Sequence, residues 1–368
     1  MIEKKKKICV VYLYPPHYRQ NIFEKLDNSY DCTFVFGDEP FNIKKLDMER
    51  LNKVFLCHAP FWGKVQFQWG LLPFAFKQFD TYLLNVNTNN ITTWLFFLIL
   101  KLFKNKHVYL WIHGLYGKES KKQIMVRKWY YKLVDGLFLY GNYARDLLIK
   151  QGLNHQKLFV IHNSLDYEKQ LLIRKEIRGS DVYVKHFGNF NPNLVMIGRL
   201  NDRKKMEMLF EAMTLLNKKG LIYNATVIGD GEYKGILENR VQALGIQEQV
   251  WFYGACYDEV TNATLLYNSD LCVIPGDVGL SAIHSMMFGV PVITHNFYPN
   301  QGPEFETILE GSTGSFYNYG DVCSLAKKIE QWFNQHNQDR DEIRANCYRV
   351  VDDGWTPEWQ MNVFKNIL

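Results

Sequence analysis

The sequence predicts an α/β protein made of two doubly wound domains, each a parallel sheet covered by helices on both faces. Short apolar runs alternate with segments whose apolar residues recur at helical spacing. This alternation stops in the polar segment 166–192, which contains Gly188 and Pro192, and then starts again. The 368 residues, 47% of them hydrophobic, are enough for two units that each bury a core.

The first half contains seven apolar runs that we predict to be strands. They are residues 7–12, 32–36, 54–58, 82–85, 108–112, 136–140 and 158–162. Four segments between them predict helices, at 19–26, 91–103, 122–134 and 143–150. Short, fully apolar strands that alternate with helices are typical of a parallel sheet buried on both faces.

The second half repeats this pattern after the polar segment. Predicted strands are 193–197, 225–228, 250–253, 271–274 and 292–294, and predicted helices are 205–216, 233–244 and 280–288. The remaining tail predicts two or three helices and no strand. Parallel sheets of this kind bind ligands at the carboxyl ends of their strands.

Composition and charge narrow the class of protein. The net charge of +5 is modest, and the sequence has no RNA-binding signature or zinc-ligand spacing, so no nucleic-acid partner is expected. Seven scattered cysteines, an odd number without a C-x-x-C pair, predict free thiols in a reducing cytoplasm. Aromatic residues make up 15% of the chain, a surplus that suits a core and also carbohydrate or lipid surfaces.

The two most apolar segments predict neither a signal peptide nor a membrane anchor. The lysine-rich start is followed by about six apolar residues before Pro15, too few for a signal peptide. The longest apolar helix candidate, 94–103, is far shorter than the ~20 residues that span a bilayer.

The segment GDVGLSAIHSMMFGVPVITH, residues 276–295, is the strongest candidate for a binding site. A turn at Gly279, Leu280 and Ser281 opens a predicted helix, and its free backbone N–H groups suit a phosphate. Arg199 and Lys204 follow the predicted strand 193–197, where two cations suit a diphosphate. The plainer alternative is an ordinary loop, helix and strand, with solvated charges before a helix.

Several motifs, taken in order, resemble the C-terminal domain of family-4-type retaining glycosyltransferases with the GT-B fold. They are VMIGRLNDRKK, ATVIGDGEYKGILE, VWFYGACYDEV, YNSDLCVIP and GDVGLSAIHSMMFGVPVIT. A weaker resemblance covers NTNNITTWLFFLILKLFKNKHVYLWIHG and VIHNSLD in the first half.

This resemblance implies two Rossmann-like domains that face a central cleft. It implies an acceptor-side domain over 1–168, a hinge over 169–192 and a nucleotide-sugar-binding domain over 193–355. A last helix, 356–368, is expected to cross back onto the first domain, and an apolar stripe at helical spacing supports it. The stripe comprises Trp355, Trp359, Val363, Phe364 and Leu368.

The resemblance also implies roles for individual residues. Arg199 and Lys204 match the pair that neutralises the nucleotide diphosphate, and His113 matches a histidine that faces the donor sugar. Charge develops on the departing diphosphate, so cations there assist the reaction. No catalytic base is identified, and the resemblance implies that the leaving phosphate itself deprotonates the acceptor.

The sequence departs from the family at its usual pair of glutamates, eight positions apart. Gly276 and His284 occupy these positions. We expect Asp277 to take over the sugar contact, and His284 to contact the ribose with help from Glu304 or Glu306. The alternative for His284 is a hydrogen-bonded histidine at the edge of the core.

Two features of the first half suggest acceptor contacts. In YPPHYRQN, Tyr18 and Arg19 offer a flat ring and a planar cation, although a simple strand-to-helix turn explains the segment equally well. The basic, aromatic segment 118–132 is either a helix with a solvated face or a contact for acidic lipid headgroups or a pyrophosphate-linked lipid.

Taken together, the motifs and this resemblance imply a retaining glycosyltransferase of cell-surface polysaccharide synthesis. It is expected to move a hexose-type sugar from a UDP- or GDP-linked donor to a glycan or lipid-linked acceptor. No Asp-x-Asp motif lies near a predicted strand end, so neither a metal nor another cofactor is expected. The expected location is the cytoplasm, with peripheral contact at the inner membrane. A non-catalytic binding protein and a sugar-nucleotide epimerase of the same fold are the alternatives.

Overall fold

The computed structural model describes residues 5–38, 44–63, 65–85, 89–335 and 340–368. The chain divides into two compact units. The first unit comprises Met1–Asp166 together with Pro357–Leu368, and the second comprises Tyr167–Thr356. Each unit contains a parallel sheet with helices on both faces, which confirms the predicted fold class.

The first unit is built on a seven-stranded sheet with the order β3-β2-β1-β6-β7-β8-β9. Its strands are β1 Lys7–Tyr12, β2 Asp31–Gly37, β3 Val54–Cys57, β6 Thr81–Leu84, β7 His107–Ile112, β8 Gly136–Leu139 and β9 Leu158–Val160. A separate antiparallel hairpin pairs β4 Phe61–Trp62 with β5 Val65–Gln66. The helices are α1 Gln20–Ser29, α2 Ile91–Leu100, α3 Lys121–Leu133, α4 Asn142–Lys150 and α13 Pro357–Ile367.

The last helix, α13, completes the core of the first unit. The ring of Phe364 is fully buried, with its centroid 5.2 Å from that of Trp111 and 4.7 Å from that of Phe138. Full burial of such a side chain contributes roughly 1.5–3 kcal/mol. Gln360 donates from Nε2 to the His162 carbonyl at 2.8 Å and accepts from Ser164 Oγ at 2.8 Å. Residues distant in sequence thus close one layer of this unit.

The second unit is built on a six-stranded parallel sheet with the order β12-β11-β10-β13-β14-β15. Its strands are β10 Asn193–Ile197, β11 Asn224–Ile228, β12 Val250–Gly254, β13 Leu271–Val273, β14 Val292–His295 and β15 Gly314–Tyr317. Its helices are α5 Tyr167–Glu176, α6 Val182–Phe187, α7 Glu207–Asn217, α8 Lys234–Leu244, α9 Glu259–Asn268, α10 Ser281–Met287, α11 Val322–Gln335 and α12 Arg340–Gly354.

The prediction that no strand follows residue 294 is wrong. β15 pairs in parallel with β14, so that Val292 lies opposite Gly314 and His295 lies opposite Tyr317. This edge strand has only four residues and begins at the last residue of the turn-forming sequence Gly-Ser-Thr-Gly, 311–314. Pairing in the sheet, rather than strand propensity, determines its conformation.

The segment 169–192, for which the sequence predicts a hinge, is mostly helical and packs within the second unit. The hydroxyl of Tyr183 on α6 donates to the Leu265 carbonyl at 2.6 Å. Arg174 on α5 forms an ion pair with Asp352 at 2.8 Å. The polar composition of this segment therefore reflects the exposed faces of two helices, and the two units meet in sequence at residues 166 and 167.

Candidate functional site

Backbone hydrogen bonds hold the glycine loop of the second unit against the segment that follows β10. The amides of Gly276 and Asp277 donate to the carbonyls of Lys204 and Arg203, at 2.9 and 3.1 Å. The Val278 amide donates to the buried side chain of Gln301 at 2.9 Å. The loop therefore has a fixed shape at the carboxyl ends of β10 and β13.

The next three amides of the loop have no acceptor within the part of the chain that the structure describes. They belong to Gly279, Leu280 and Ser281, and they precede or begin α10. Gly279 adopts a φ of 52°, a left-handed conformation that glycine tolerates best. Ser281 Oγ donates to the Ile197 carbonyl at 2.6 Å and ties the helix to β10. These amides form a group of donors suited to an anion.

Lys204 brings a cation to the same loop. Its ammonium donates to the Asp277 carbonyl at 2.5 Å and more weakly to the Val278 carbonyl at 3.4 Å. A methyl group placed on Gly279 would lie 4.0 Å from Nζ. Burial lowers the pKa of Lys204, and Asp277 partly opposes this effect. An ammonium has three N–H groups, so one remains for a ligand.

Arg199 lies on the loop after β10 and is the more exposed of the two predicted cations. Its side chain is 44% exposed and forms an ion pair with Glu232 at 3.1 Å. Exposed pairs of this kind stabilise a fold by about 0–1 kcal/mol. The guanidinium can therefore exchange Glu232 for a phosphate at little cost to folding.

The carboxylate of Asp277 holds the glycine loop in place through two hydrogen bonds. One carboxylate oxygen accepts from the Gly302 amide at 3.0 Å, and the other pairs with Arg203. Both oxygens are therefore engaged within the second unit. A sugar contact by Asp277 stays a prediction, and it would require exchange of one of these partners.

The backbone excludes a glutamate from position 276. A β-carbon on Gly276 would lie 1.9 Å from the Arg203 carbonyl oxygen and 2.7 Å from the Lys204 carbonyl carbon. Contacts this short require the backbone to move. Gly276 is therefore required by the close approach of this loop to the segment after β10.

His284 is paired with a carboxylate that the sequence did not indicate. Its Nε2 lies 2.8 Å from Glu259 Oε1, and the same oxygen accepts from Gln170 Nε2 at 2.8 Å. Burial alone would raise the pKa of Glu259, but His284 and Gln170 outweigh it and hold this pKa below its usual value. Glu259 begins α9, far from position 284 in sequence, and no spacing pattern connects the two.

The two other candidate glutamates lie on a short helical turn, Pro303–Thr307. Glu304 is 2% exposed, and a β-carbon on Gly302 would lie 2.7 Å from its Oε2. Its charge raises the pKa of Lys204, against the stronger effect of burial. Glu306 is half-buried. Glu304 is thus the acidic residue closer to the loop, and ribose contacts by either residue stay a prediction.

His113 in the first unit is exposed at the carboxyl end of β7. Its ring centroid lies 4.6 Å from that of Tyr140 and 5.8 Å from that of Tyr116. Glu119 fixes the following loop by accepting from the Tyr116 amide at 2.8 Å and from Arg127 at 3.0 Å. The structure therefore places His113 where the first sheet would bind a ligand.

Arg19 is not presented as a surface cation, contrary to expectation. The residue is 2% exposed, and its guanidinium carbon lies 4.8 Å from the ring centroids of both Trp111 and Tyr140. Its Nε and Nη1 have no hydrogen-bond partner among the described residues. Tyr18 is half-buried, 5.6 Å from the same guanidinium. Rings that stack on the guanidinium satisfy it in place of a carboxylate.

The described residues include no cluster of three or more histidine, cysteine or acidic side chains suited to a metal ion. All seven cysteines are free thiols, and five of them are buried.

Comparison with known proteins gives one family match. Residues 187–350 match the family model described as "Glycosyl transferases group 1". This region contains the glycine loop, both cations and the two glutamates on the short helical turn. This part of the second unit is therefore similar to group 1 glycosyltransferases.

Two curated relatives extend this likeness. An "Uncharacterized 41.2 kDa protein in cps region" of Klebsiella pneumoniae is 22% identical over 68% of either chain. The Campylobacter jejuni enzyme GalNAc-alpha-(1->4)-GalNAc-alpha-(1->3)-diNAcBac-PP-undecaprenol alpha-1,4-N-acetyl-D-galactosaminyltransferase is 33% identical over 44% of either chain.

The whole fold matches a solved structure. Anabaena HepE in complex with UDP superposes with a TM-score of 0.72 and 16% identity, over 98% of this chain and 99% of that one. The likeness covers both units and shows the GT-B fold.

Proposed function

We propose that this chain is a glycosyltransferase that moves a hexose-type sugar from a nucleoside diphosphate-linked donor to a hydroxyl of a glycan or lipid-linked acceptor. The observation that carries the proposal is the group of three unpaired amides beside the Lys204 ammonium. Such a site binds the diphosphate and stabilises the charge that develops on it as the sugar departs. Arg199 adds a second cation from the loop after β10.

In this reaction the protein mainly positions the two substrates and stabilises the charge on the leaving diphosphate. Two bound substrates react as if at high effective concentration. The leaving diphosphate gains negative charge in the transition state, and fixed amides and cations stabilise that charge without reorganisation. We propose that this diphosphate also accepts the acceptor's proton, that the anomeric configuration is retained and that no metal ion takes part.

The relatives support the choice of donor and acceptor classes. HepE binds UDP in its solved structure. The Campylobacter enzyme acts on a glycan linked to undecaprenol diphosphate, by its name. We therefore propose a UDP- or GDP-linked donor and a role in cell-surface polysaccharide synthesis. The free thiols suit a reducing compartment, so we propose that the reaction takes place in the cytoplasm, at the inner face of the membrane.

Nucleotide binding is the first test. We expect UDP or GDP to raise the unfolding temperature of the wild-type protein, since a ligand at 100 times its Kd adds about 2.7 kcal/mol to stability. Lys204→Ala should weaken this shift strongly, while Lys218→Ala, an exposed lysine in the same unit, should not. Failure of both nucleotides to bind, or equal shifts in the two variants, would contradict the proposal.

Product analysis separates transfer from the two alternatives. The wild-type protein, given a nucleotide-sugar and an undecaprenyl diphosphate glycan, should release the nucleoside diphosphate and extend the glycan. An epimerase would instead convert the donor without an acceptor, and a binding protein would leave both unchanged. The anomeric configuration of the new bond, read by NMR, tests retention.

A further inference from the structure

The helix α2 is apolar on all sides, although only one side packs into the core. Phe96, Phe97 and Leu100 are fully buried against the sheet of the first unit. The opposite side carries Ile91, Leu95 and Leu98, all exposed. A helix that is apolar all round is normally covered on all sides by protein or lipid. The exposed side of α2 is therefore as apolar as a surface that protein or lipid normally covers.

Neighbouring elements extend this exposed apolar surface on both sides of α2. The ring of Trp94 on α2 stacks with that of Trp129 on α3 at 6.4 Å, so the two helices lie side by side. The hairpin of β4 and β5 adjoins the start of α2, since the Gln66 amide donates to the Asn89 carbonyl at 2.9 Å. The three elements together form what we call the apolar face. Its exposed members include Trp62 on the hairpin, Ile91, Leu95 and Leu98 on α2, and Trp129 on α3, and we add Leu102, which directly follows α2.

Basic side chains accompany the apolar face. The helix α3 contains four lysines and one arginine and no acidic residue. Lys101 and Lys104 follow α2 directly, and both are exposed. Apolar and aromatic side chains with lysines beside them are typical of elements that lie in the interface of an anionic membrane. Among the described residues, no helix is long and apolar enough to cross a bilayer.

We propose that the apolar face docks the first unit on the surface of an anionic lipid bilayer. The hairpin and the exposed side of α2 would enter the headgroup region, while the lysines of α3 would contact lipid phosphates. This proposal builds on the proposed function, because a lipid-linked acceptor lies in such a membrane. It resolves the two readings of segment 118–132 in favour of headgroup contact and assigns a larger part of the surface to α2 and the hairpin.

Charge argues against a second copy of the chain as the occupant. A symmetric contact through this face would bring the lysine-rich α3 helices of the two copies together, and like charges at close range repel. An anionic bilayer presents the opposite charge together with an apolar layer.

Vesicle sedimentation tests the proposal on the full chain without nucleotide or acceptor. The wild-type protein should sediment with phosphatidylcholine vesicles that contain phosphatidylglycerol, and much less with phosphatidylcholine alone. The double variant Trp62→Asp, Leu102→Asp should bind about tenfold or more weakly, because two charges enter the interface. These residues are 82% and 79% exposed, so the fold should tolerate both changes.

A matched control separates the face from general charge effects. Phe190→Asp with Tyr257→Asp adds the same charge at residues of the second unit that are 89% and 85% exposed. This control should bind vesicles as the wild type does. Equal binding by both double variants, or no binding by the wild type, would overturn the proposal. So would a wild-type dimer, seen by light scattering, that only the Trp62, Leu102 variant disrupts.

The nucleotide test stays independent of this result. All of these variants should show the wild-type thermal shift with UDP or GDP, because the loop at 276–281 lies in the other unit. A normal shift without vesicle binding would reject the docking surface alone, whereas vesicle binding without any shift would reject the donor site alone.

Discussion

Each sheet carries an arginine shortly after its first strand along the chain, and the two arginines have opposite environments. Arg19 follows β1 and lies almost completely buried between the rings of Trp111 and Tyr140. Arg199 follows β10, with its side chain 44% exposed and in an ion pair with Glu232. The segment after the first strand thus holds a structural cation in one unit and an accessible cation in the other.

The surrounding loops explain the difference. Pro15 and Pro16 stiffen the loop after β1 and lead into a helical turn at His17–Arg19, which directs Arg19 inward. The loop after β10 approaches the glycine loop closely, and their backbones exchange hydrogen bonds. Aromatic rings surround Arg19, whereas backbone hydrogen bonds fix the loops beside Arg199. We therefore expect substitutions of Arg19 to affect folding and substitutions of Arg199 to affect ligand binding.

The largest effect is expected from the cations of the second unit. Lys204→Ala and Arg199→Ala should each lower kcat/KM by a factor equivalent to about 2–4 kcal/mol, because each variant loses a cation that stabilises the negative charge on the leaving diphosphate. For Arg199→Ala the free energy of unfolding should change by less than about 1 kcal/mol. Steady-state kinetics and urea unfolding measure both quantities. Unchanged kcat/KM in the two variants would remove the diphosphate assignment.

The pH dependence of stability tests a feature that the units share. Burial lowers the pKa of His162 in the first unit and of His295 in the second, each to about 4 from an unfolded value of 6.5. Both are therefore neutral in the folded protein at pH values where the unfolded chain binds a proton. Stability should fall as the pH drops from about 6.5 to about 4, by up to ~3 kcal/mol for His295.

Urea unfolding at several pH values within this window measures that loss. In His295→Gln, the loss of unfolding free energy that is due to His295 should disappear. The loss that is due to His162 should remain. A wild-type protein whose stability is constant across the window would contradict the assignment of both histidines as buried and neutral.

A third prediction concerns the glycine loop itself. Gly276→Glu introduces the residue that the sequence resemblance implies for this position. We expect it to lower the free energy of unfolding by about 1–3 kcal/mol without improving transfer, because the side chain displaces the backbone at Arg203. Thermal unfolding and kcat/KM are the measurements. Gly235→Glu, where a β-carbon meets no atom within 4 Å, is the matched control. A more active and equally stable Gly276→Glu variant would show that the loop does not require glycine.

The smallest effect is expected at Arg19. Arg19→Ala should lower the free energy of unfolding by about 2 kcal/mol, the value of a desolvated cation between aromatic faces. Arg19→Lys should recover only part of this, since an ammonium cannot stack in the same way. Donor binding should stay unchanged in both. A variant that folds normally but loses transfer would instead assign Arg19 a role in acceptor binding.

Local sequence patterns predicted the strands correctly where a short apolar run is also a buried one. The strands of both sheets are short apolar runs, so β1 and β10 lie where the periodicity predicts them. β15 was not predicted, because its turn-like sequence becomes a strand only by pairing with β14. The helices α5 and α6 were not predicted either, because their polar composition resembles that of a linker.

Within the candidate site, the sequence indicated the elements that follow one another closely, such as the cations after β10 and the turn at 279–281. It did not indicate that Glu259 pairs with His284, because this contact depends on how α9 packs beside α10. Nor did it indicate the burial of Arg19, since Trp111 lies on β7 and Tyr140 directly follows β8, both distant from Arg19 in sequence.

The placement of α13 has a consequence for biosynthesis. The ring of Phe364 is part of the core of the first unit, although the whole of the second unit precedes it in the chain. During translation, the first unit emerges from the ribosome long before the helix that completes it. Its apolar layer around Trp111 and Phe138 must therefore remain open, or be covered by a chaperone, until residues 357–367 have been synthesised.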